Sequence, residues 1–462
     1  METNINNNTP ASQTITTATE SKEALKYYSA TQWQLVWWRF RRHRLALLGG
    51  CVLLFMGLIG LFANFIAPYG TGPLDNMNDT SYPEGAPQWP RFFDADGNFT
   101  SQPYFIVTKK VPDPILLQPK PVPLLIAAPT EACDTAKDTL KEAKSEVSNP
   151  LEAAAELKPF QDAVDEACFD QVTRPIEFFV HGDPYDLLGI IPTDRHLFGA
   201  GPIDIDGLIE TYGEGEVKKI MPDLEKAAEA GYHLFGTGKL GDDLFSQLMF
   251  ATRTSLSIGV IGVFLSFVLA LIIGGVAGYF GGWTDYIIQR FTEVIRVIPI
   301  IPLYMGLAAA MPKEWSNMQI FFVMSMILGL FGWPTLARRI RSQLLTLRTE
   351  DYVLSARLSG ARPARIISRH LLPAFTSYII VDLVISFPYM ILSETALSFV
   401  GLGLRRPTLS WGVLLQQAQS VKALEQQPWL FIPVIFVVVA VLAFTILGDG
   451  LRDAADPYQV SD

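Results

Sequence analysis

Four long stretches of the chain carry no charge: Leu45–Ala67, Thr254–Thr284, Met318–Ala337 and Trp429–Gly448. Each is long enough for a helix to cross a hydrocarbon layer about 30 Å thick. In lipid a single segment has to satisfy its own backbone hydrogen bonds, so each run reads as a membrane-spanning helix. Two weaker spans complete the pattern. One, about 292–311, holds Arg296, Pro299 and Pro302 and is expected to be broken or kinked. The other, about 376–399, holds Asp382, Pro388 and Glu394. The expected fold is an all-α polytopic membrane protein with six transmembrane helices, at about 45–67, 254–280, 292–311, 318–337, 376–399 and 429–448.

The net charge of −10 conceals a segregation that sets the topology. Arg39, Arg41, Arg42 and Arg44 precede the first span and place the N-terminus in the cytoplasm. Arg338, Arg339, Arg341, Arg348, Arg357, Arg362, Arg365 and Arg369 crowd the 338–375 loop and place it on the same side. Two independent basic clusters agree on one topology, with 449–462 also cytoplasmic and the acidic 68–250 segment outside. No basic face with interleaved aromatics points to nucleic acid. Residues 1–30 begin rich in Thr, Asn, Ser and Gln and are expected to be disordered. Residues 31–67 then form a basic, amphipathic lead-in and the first span, which is too long for a signal-peptide core and is expected to stay as an anchor.

The outside segment is long enough for a folded domain. Tyr82-Pro83, Trp89-Pro90 and Phe92-Phe93 suggest short strands and turns. From Glu131 the composition changes to Ala, Glu, Lys and Leu, interrupted at Ser148-Asn149-Pro150. Two antiparallel helices are expected there, about 131–147 and 151–169, giving a mixed α+β insertion. Cys133 and Cys168 fall at the open end of that hairpin, where an oxidising compartment permits a disulfide; two free buried thiols are the other reading. Cys51 lies in the first apolar run and reads as a small core residue. A tetrapeptide, His196-Leu197-Phe198-Gly199, recurs as His233-Leu234-Phe235-Gly236.

The most informative stretch is Asp351–Pro373, between the fourth and fifth spans. A helix ending at Ser359 would be closed by Gly360, a good residue just past a helix end. Pro363 suits the first turn of a second helix, expected to end before Pro373. The product is a bent pair of short basic helices projecting from the membrane, a shape that fits a groove on a cytoplasmic partner. This segment resembles the coupling loop, or EAA loop, of binding-protein-dependent ABC importer permeases. The family pattern is Glu-Ala-Ala, three residues, Gly, nine residues, Ile, one residue, Leu-Pro. Leu354-Ser355-Ala356, Gly360, His370 and Leu372-Pro373 stand at those positions with the spacing kept. Leu354 replaces the acid and His370 the isoleucine. The resemblance extends to Leu234–Phe245, Gly278–Asp285, Glu394–Leu404 and Gly448–Pro457, and these segments look like the second permease subunit of a dipeptide or oligopeptide importer of the peptide/nickel class.

That resemblance implies a type I (MetI-like) permease core over 251–448 and a place in the bacterial inner membrane, while the extracytoplasmic insertion within 68–250 departs from the family's usual short connection. It implies a heterodimer with a second permease, two ATPase subunits or domains, and a periplasmic substrate-binding protein. ATP and Mg would be bound by the ATPase, and this chain, which is not itself an enzyme, would hold no cofactor. Leu354, Ser355, Ala356, Arg357, Gly360, Arg362, Arg365, His370, Leu372 and Pro373 would meet the ATPase or, for the arginines, anionic lipid. Peptides are the expected solute and oligosaccharides the alternative; a membrane-anchored receptor or scaffold and an ion-driven transporter are the readings from other classes. Gly236-Thr237-Gly238-Lys239 imitates a phosphate loop, but Leu240 follows the lysine and the first glycine is missing. Asp382 and Glu394 are candidate functional acids because they lie in or near a span. A structural hydrogen bond is favoured for Glu394, and interfacial solvation is an equal reading for Asp382. Gly274, Gly278 and Gly282 form a ridge of small residues that could pack within the chain or on a partner. Glu293 is expected to pair with Arg296. His43, His181, His196, His233 and His370 show no metal-ligand spacing, and no metal site is expected.

Overall fold

A computed structural model of the chain describes residues 32–70, 82–93, 97–112, 119–128, 131–146, 153–312 and 314–455. Residues 1–30 and the Ser148-Asn149-Pro150 turn, for which expectations were stated, lie outside the described residues. In chain order the membrane part holds α1 (Arg44–Leu61), α2 (Leu244–Phe280), α3 (Gly282–Val297), α4 (Ile300–Ala309) and α5 (Asn317–Leu347). Two short helices follow, α6 (Asp351–Leu358) and α7 (Pro363–Ile366), and then α8 (Thr376–Phe399) and α9 (Ile432–Ala455), the last entered through a 3₁₀ turn at Pro428–Phe431. Helices α1, α2, α5, α8 and α9 are each long and apolar enough to cross a membrane. The α3–α4 pair is bent by 76° and makes a sixth if counted as one broken span. The break falls at Ile298-Pro299, where proline removes a donor and crowds the preceding turn.

Several helices outrun the apolar runs that announced them. Helix α5 continues to Leu347, so Arg338, Arg339 and Arg341 stand on a helix and not in a loop. Helix α9 likewise continues to Ala455, and α2 begins at Leu244. An apolar run marks only the part of a helix that sits in hydrocarbon; charged residues let the same helix continue into water. The start of α5 is set by a capping box, with the Ser316 hydroxyl accepting from Gln319 N–H and the Gln319 side chain accepting from Ser316 N–H.

The described residues form two compact units: those within Met1–Met56, Ser257–Glu394 and Val437–Asp462 make one, and those within Gly57–Leu256 and Thr395–Phe436 make the other. In the first unit α2 and α5 approach at backbone distance. A Cβ on Gly274 would lie 2.5 Å from the Ala337 carbonyl oxygen, and one on Gly278 would lie 2.7 Å from Leu344 Cβ. Two members of the small-residue ridge are therefore spent inside this chain. Around that crossing a core gathers Trp333, Leu336, Ile340 and Leu344 with Val353, Ile366, Leu371 and Phe375. Gly49 similarly admits α9, a Cβ there falling 2.8 Å from the Ala443 carbonyl oxygen.

The second unit contains both strands and helices. Its largest sheet is antiparallel, ordered β1 (Arg91–Phe93), β2 (Phe99–Ile106), β7 (Thr173–Leu187) and β8 (Ile191–Ala200). Between these in sequence lie β3 (Thr108–Pro112) paired with β4 (Pro119–Pro123), and β5 (Leu125–Ala127) paired with β6 (Phe169–Gln171). Strands β7 (Thr173–Leu187) and β8 (Ile191–Ala200) form a long hairpin whose register shifts between His181 and Tyr185. Val107, Leu124, Ile126 and Val172 bury against Val217, Leu224 and Ala227 of the Glu214–Glu229 helix. Arg174 is buried and donates to the carbonyls of Gly201, Ala227 and Ala230, satisfying the orphan end of that helix. The recurring tetrapeptide converges on one ring: Phe198 and Phe235 lie 5.3 and 5.2 Å from Phe245.

The Glu131–Glu146 and Ala153–Cys168 helices pair, and a disulfide joins Cys133 to Cys168, both sulfurs buried. It closes a loop with a sequence separation of 35. Cys51, expected in the core, is instead exposed on the surface of α1. Replacing Cys133 and Cys168 by serine is expected to weaken the hairpin by roughly 2–4 kcal/mol through the restored freedom of the unfolded loop. Trypsin should then cut at Lys137 or Lys141 faster than in the parent protein; unchanged digestion would show that the bridge holds nothing.

Candidate coupling loop and charged spans

Helix α6 ends in a Schellman arrangement. Ala361 N–H donates to Ala356 O at 3.1 Å and Gly360 N–H to Arg357 O at 3.0 Å. Gly360 sits at φ +77°, and a Cβ built on it would meet nothing within 4 Å. Its requirement is therefore conformational and not steric. Pro363 opens α7 at the first turn, where its missing N–H leaves no bond unmade. The second arm does not stop before Pro373. A single π turn, Ile367–Leu371, leads into the Leu372–Ala374 helical turn, and Leu372 N–H bonds to Ile367 O. The wider turn removes the clash that a proline makes with the carbonyl four residues before it.

One face of this bent pair is anchored and the other is open. Val353, Ile366 and Leu371 are fully buried in the first unit's core, with Ala356, Ala361 and Leu372 partly buried against it. Leu354, Ser355, Arg357, Leu358, Arg362, Arg365 and Pro373 are exposed, and Leu358 reaches 90%. An apolar residue that bare beside three guanidiniums is the pattern of a docking face, apolar at its centre and charged at its edge. His370 is half-buried, at the place of the family's isoleucine.

The loop is tied back to the spans. Arg341 on α5 makes a two-pronged ion pair with Asp285 at the start of α3. Arg348, at the end of α5, reaches the carbonyl of Tyr279 at 3.5 Å beside the Gly281-Gly282 turn, where both glycines have positive φ. Asp285 and Arg341 lie far apart in sequence, and no local pattern announced their pairing.

Of the candidate acids, Glu394 is completely buried, and Asp382 pairs with Arg339 of α5. Glu293 pairs with Arg290 at 2.6 Å and not with Arg296. Both arginines are three residues from it, and Arg290 also lies over the Tyr286 ring, 5.1 Å from its centroid. The imitation phosphate loop is structural: Thr237 is buried, its hydroxyl accepts from Gly85 N–H at 2.7 Å, and its carbonyl accepts from Trp429 Nε1 at 3.0 Å. His233 is buried against Asp243 at 2.9 Å. No group of His, Cys, Asp or Glu among the described residues is arranged to hold a metal ion.

Several helices of membrane-spanning length and one broken span define a multi-pass membrane protein. The chain belongs to the family of binding-protein-dependent transport system inner membrane components, whose model matches residues 252–459. Within it, residues 31–83 match the N-terminal TM domain of oligopeptide transport permease C. Residues 84–251 fall in neither match. The dipeptide transport system permease protein of Bacillus subtilis (strain 168) is 37% identical over 226 residues, 49% of this chain and 68% of that protein. The oligopeptide transport system permease protein of Haemophilus influenzae is 36% identical over 228 residues, 49% and 71%. The glutathione transport system permease protein of Pectobacterium atrosepticum is 36% identical over 225 residues, 49% and 72%. An inward-facing structure of the MetNI methionine ABC transporter covers 45% of this chain and 96% of that one, with 18% identity and a TM-score of 0.37.

Proposed function

We propose that this chain is the transmembrane permease subunit of an ATP-driven importer that moves peptides or similar small solutes delivered by a periplasmic binding protein. Relatives that carry dipeptides, oligopeptides and glutathione in their names support the solute class. The single observation that carries the mechanism is the bent pair α6–α7, anchored by Val353, Ile366 and Leu371 and bare at Leu354, Arg357, Leu358, Arg362 and Arg365. This face docks on an ATPase subunit, one for each permease of a heterodimer. ATP hydrolysis in those subunits supplies the free energy. This chain contributes a docking face whose displacement moves α5 and, through Arg341 and Asp285, the broken α3–α4 span. In this arrangement both termini are cytoplasmic and the mixed α+β segment within 68–250 is periplasmic, a topology that the arginines flanking α1 and following α5 support. The core over 251–448 has the MetI-like arrangement.

Gentle solubilisation of tagged full-length chain should co-purify a second permease and a subunit bearing a Walker A sequence. A cysteine at Leu358 should cross-link to the latter. A chain that purifies without any nucleotide-hydrolysing subunit, or a Leu358 cysteine labelled from the periplasmic side, would overturn the reading.

A further inference from the structure

Arg339 on α5 and Asp382 on α8 form an ion pair inside the first unit. The Asp382 side chain is 6% exposed, and its second oxygen, Oδ2, has no hydrogen-bond partner among the described residues. A buried carboxylate that is half satisfied is costly, and in a membrane protein such groups mark a path for solutes. Arg339 lines two cavities. The first, of about 340 Å³, is bounded by α2, α4, α5 and α8 and is lined by Tyr304, Ser386, Tyr389 and Ser393, of which Tyr304, Ser386 and Ser393 donate their hydroxyls to the carbonyls of Leu328, Asp382 and Tyr389. The second, of about 480 Å³, holds Tyr378, Asp382 and Arg452 beside Arg339. Hydroxyls and charges of this density do not belong on a lipid-facing surface. One wall of the first cavity is α4, the half-span that follows the break at Pro299. Two guanidiniums face one carboxylate in the second cavity, so its balance favours an anion.

We propose that Arg339 is the charge-selecting residue of the solute path: a solute carboxylate takes its guanidinium from Asp382 as the solute passes from the first cavity to the second. This rests on the importer reading and names the chemistry of the cargo, a small solute with a free carboxylate such as a peptide C-terminus. The exchange replaces one carboxylate by another on a fork that fits either. Arg452, in the same wall as Asp382, supplies the counter-charge while the exchange lasts.

The test uses the complete importer in proteoliposomes, with trialanine and trialanine amide each at saturating concentration, so that the binding protein's own preference drops out. The parent complex should move the free acid faster. Arg339→Gln should cut that preference by about tenfold, the loss of one charged, two-pronged contact. Arg339→Lys should keep part of it. Asp382→Asn, which removes the competing carboxylate, should raise it. A brace with no role in selection predicts something else: every variant lowers uptake of both peptides in equal proportion, and that result overturns the proposal. If Arg339→Gln fails to assemble, the lysine and asparagine variants carry the same comparison. A parent complex that hydrolyses ATP with its binding protein yet moves neither peptide would overturn the peptide reading itself, and this inference with it.

Discussion

Gly360→Glu is expected to abolish ATP-dependent uptake while the chain still accumulates in the membrane. The glycine sits at φ +77° with open space around its missing side chain. Any L-residue there costs roughly 1–2 kcal/mol of backbone strain. That is a fraction of the 5–15 kcal/mol a domain usually commands, so the protein should fold and insert. What changes is the docking face, where a carboxylate would appear next to Arg357 and Arg362. A drop of more than about tenfold in uptake needs only about 1.4 kcal/mol of lost docking free energy. Gly360→Asn separates the two effects, because asparagine tolerates the left-handed region without adding charge. It should retain most transport. Membrane-normalised uptake in vesicles decides the matter: parental uptake by the glutamate variant would remove the coupling role from this loop.

Local chemistry made part of this architecture legible in advance. Uncharged runs located the spans, and Gly360 followed by Pro363 located the bend, because both residues act on their own backbone within one turn. What escaped was long-range or depended on a choice among equals. Pro373 read as a stop, yet the π turn at Ile367–Leu371 absorbs it, and nothing in the sequence distinguishes a turn that widens from one that ends. Helix ends were misplaced wherever a charged segment continued an apolar one, as at Arg338–Leu347 of α5. Arg290 and Arg296 are equivalent partners for Glu293 on spacing alone, and the structure pairs it with Arg290, which also lies over the Tyr286 ring. The pairs Asp285–Arg341 and Arg339–Asp382 join different helices. Their charges were visible as members of basic clusters, which hid the fact that two of those arginines are committed to carboxylates.

The Asp285–Arg341 pair yields the second large effect. Helix α5 ends only a few residues before α6, so motion of the docking face reaches Arg341 along a rigid element. From Arg341 it passes through two parallel hydrogen bonds to the first turn of α3, and along α3 to the break at Pro299. Asp285 and Arg341 are 15% and 25% exposed, little enough for the pair to resist screening by solvent. Asp285→Asn should remove about 1.5–3 kcal/mol of charged hydrogen bonding and leave a guanidinium without its anion. The complex should then hydrolyse ATP at nearly the parent rate while uptake per ATP falls several-fold, since force arrives at α5 and is lost before α3. Arg341→Lys, which keeps the charge but loses the fork, should fall between. Reversing the charges in Asp285→Arg with Arg341→Asp should recover a substantial share of the coupling. If the reversed pair assembles and hydrolyses ATP but couples no better than Asp285→Asn, force reaches the spans by another route, and the clamp between α3 and α5 is only a brace.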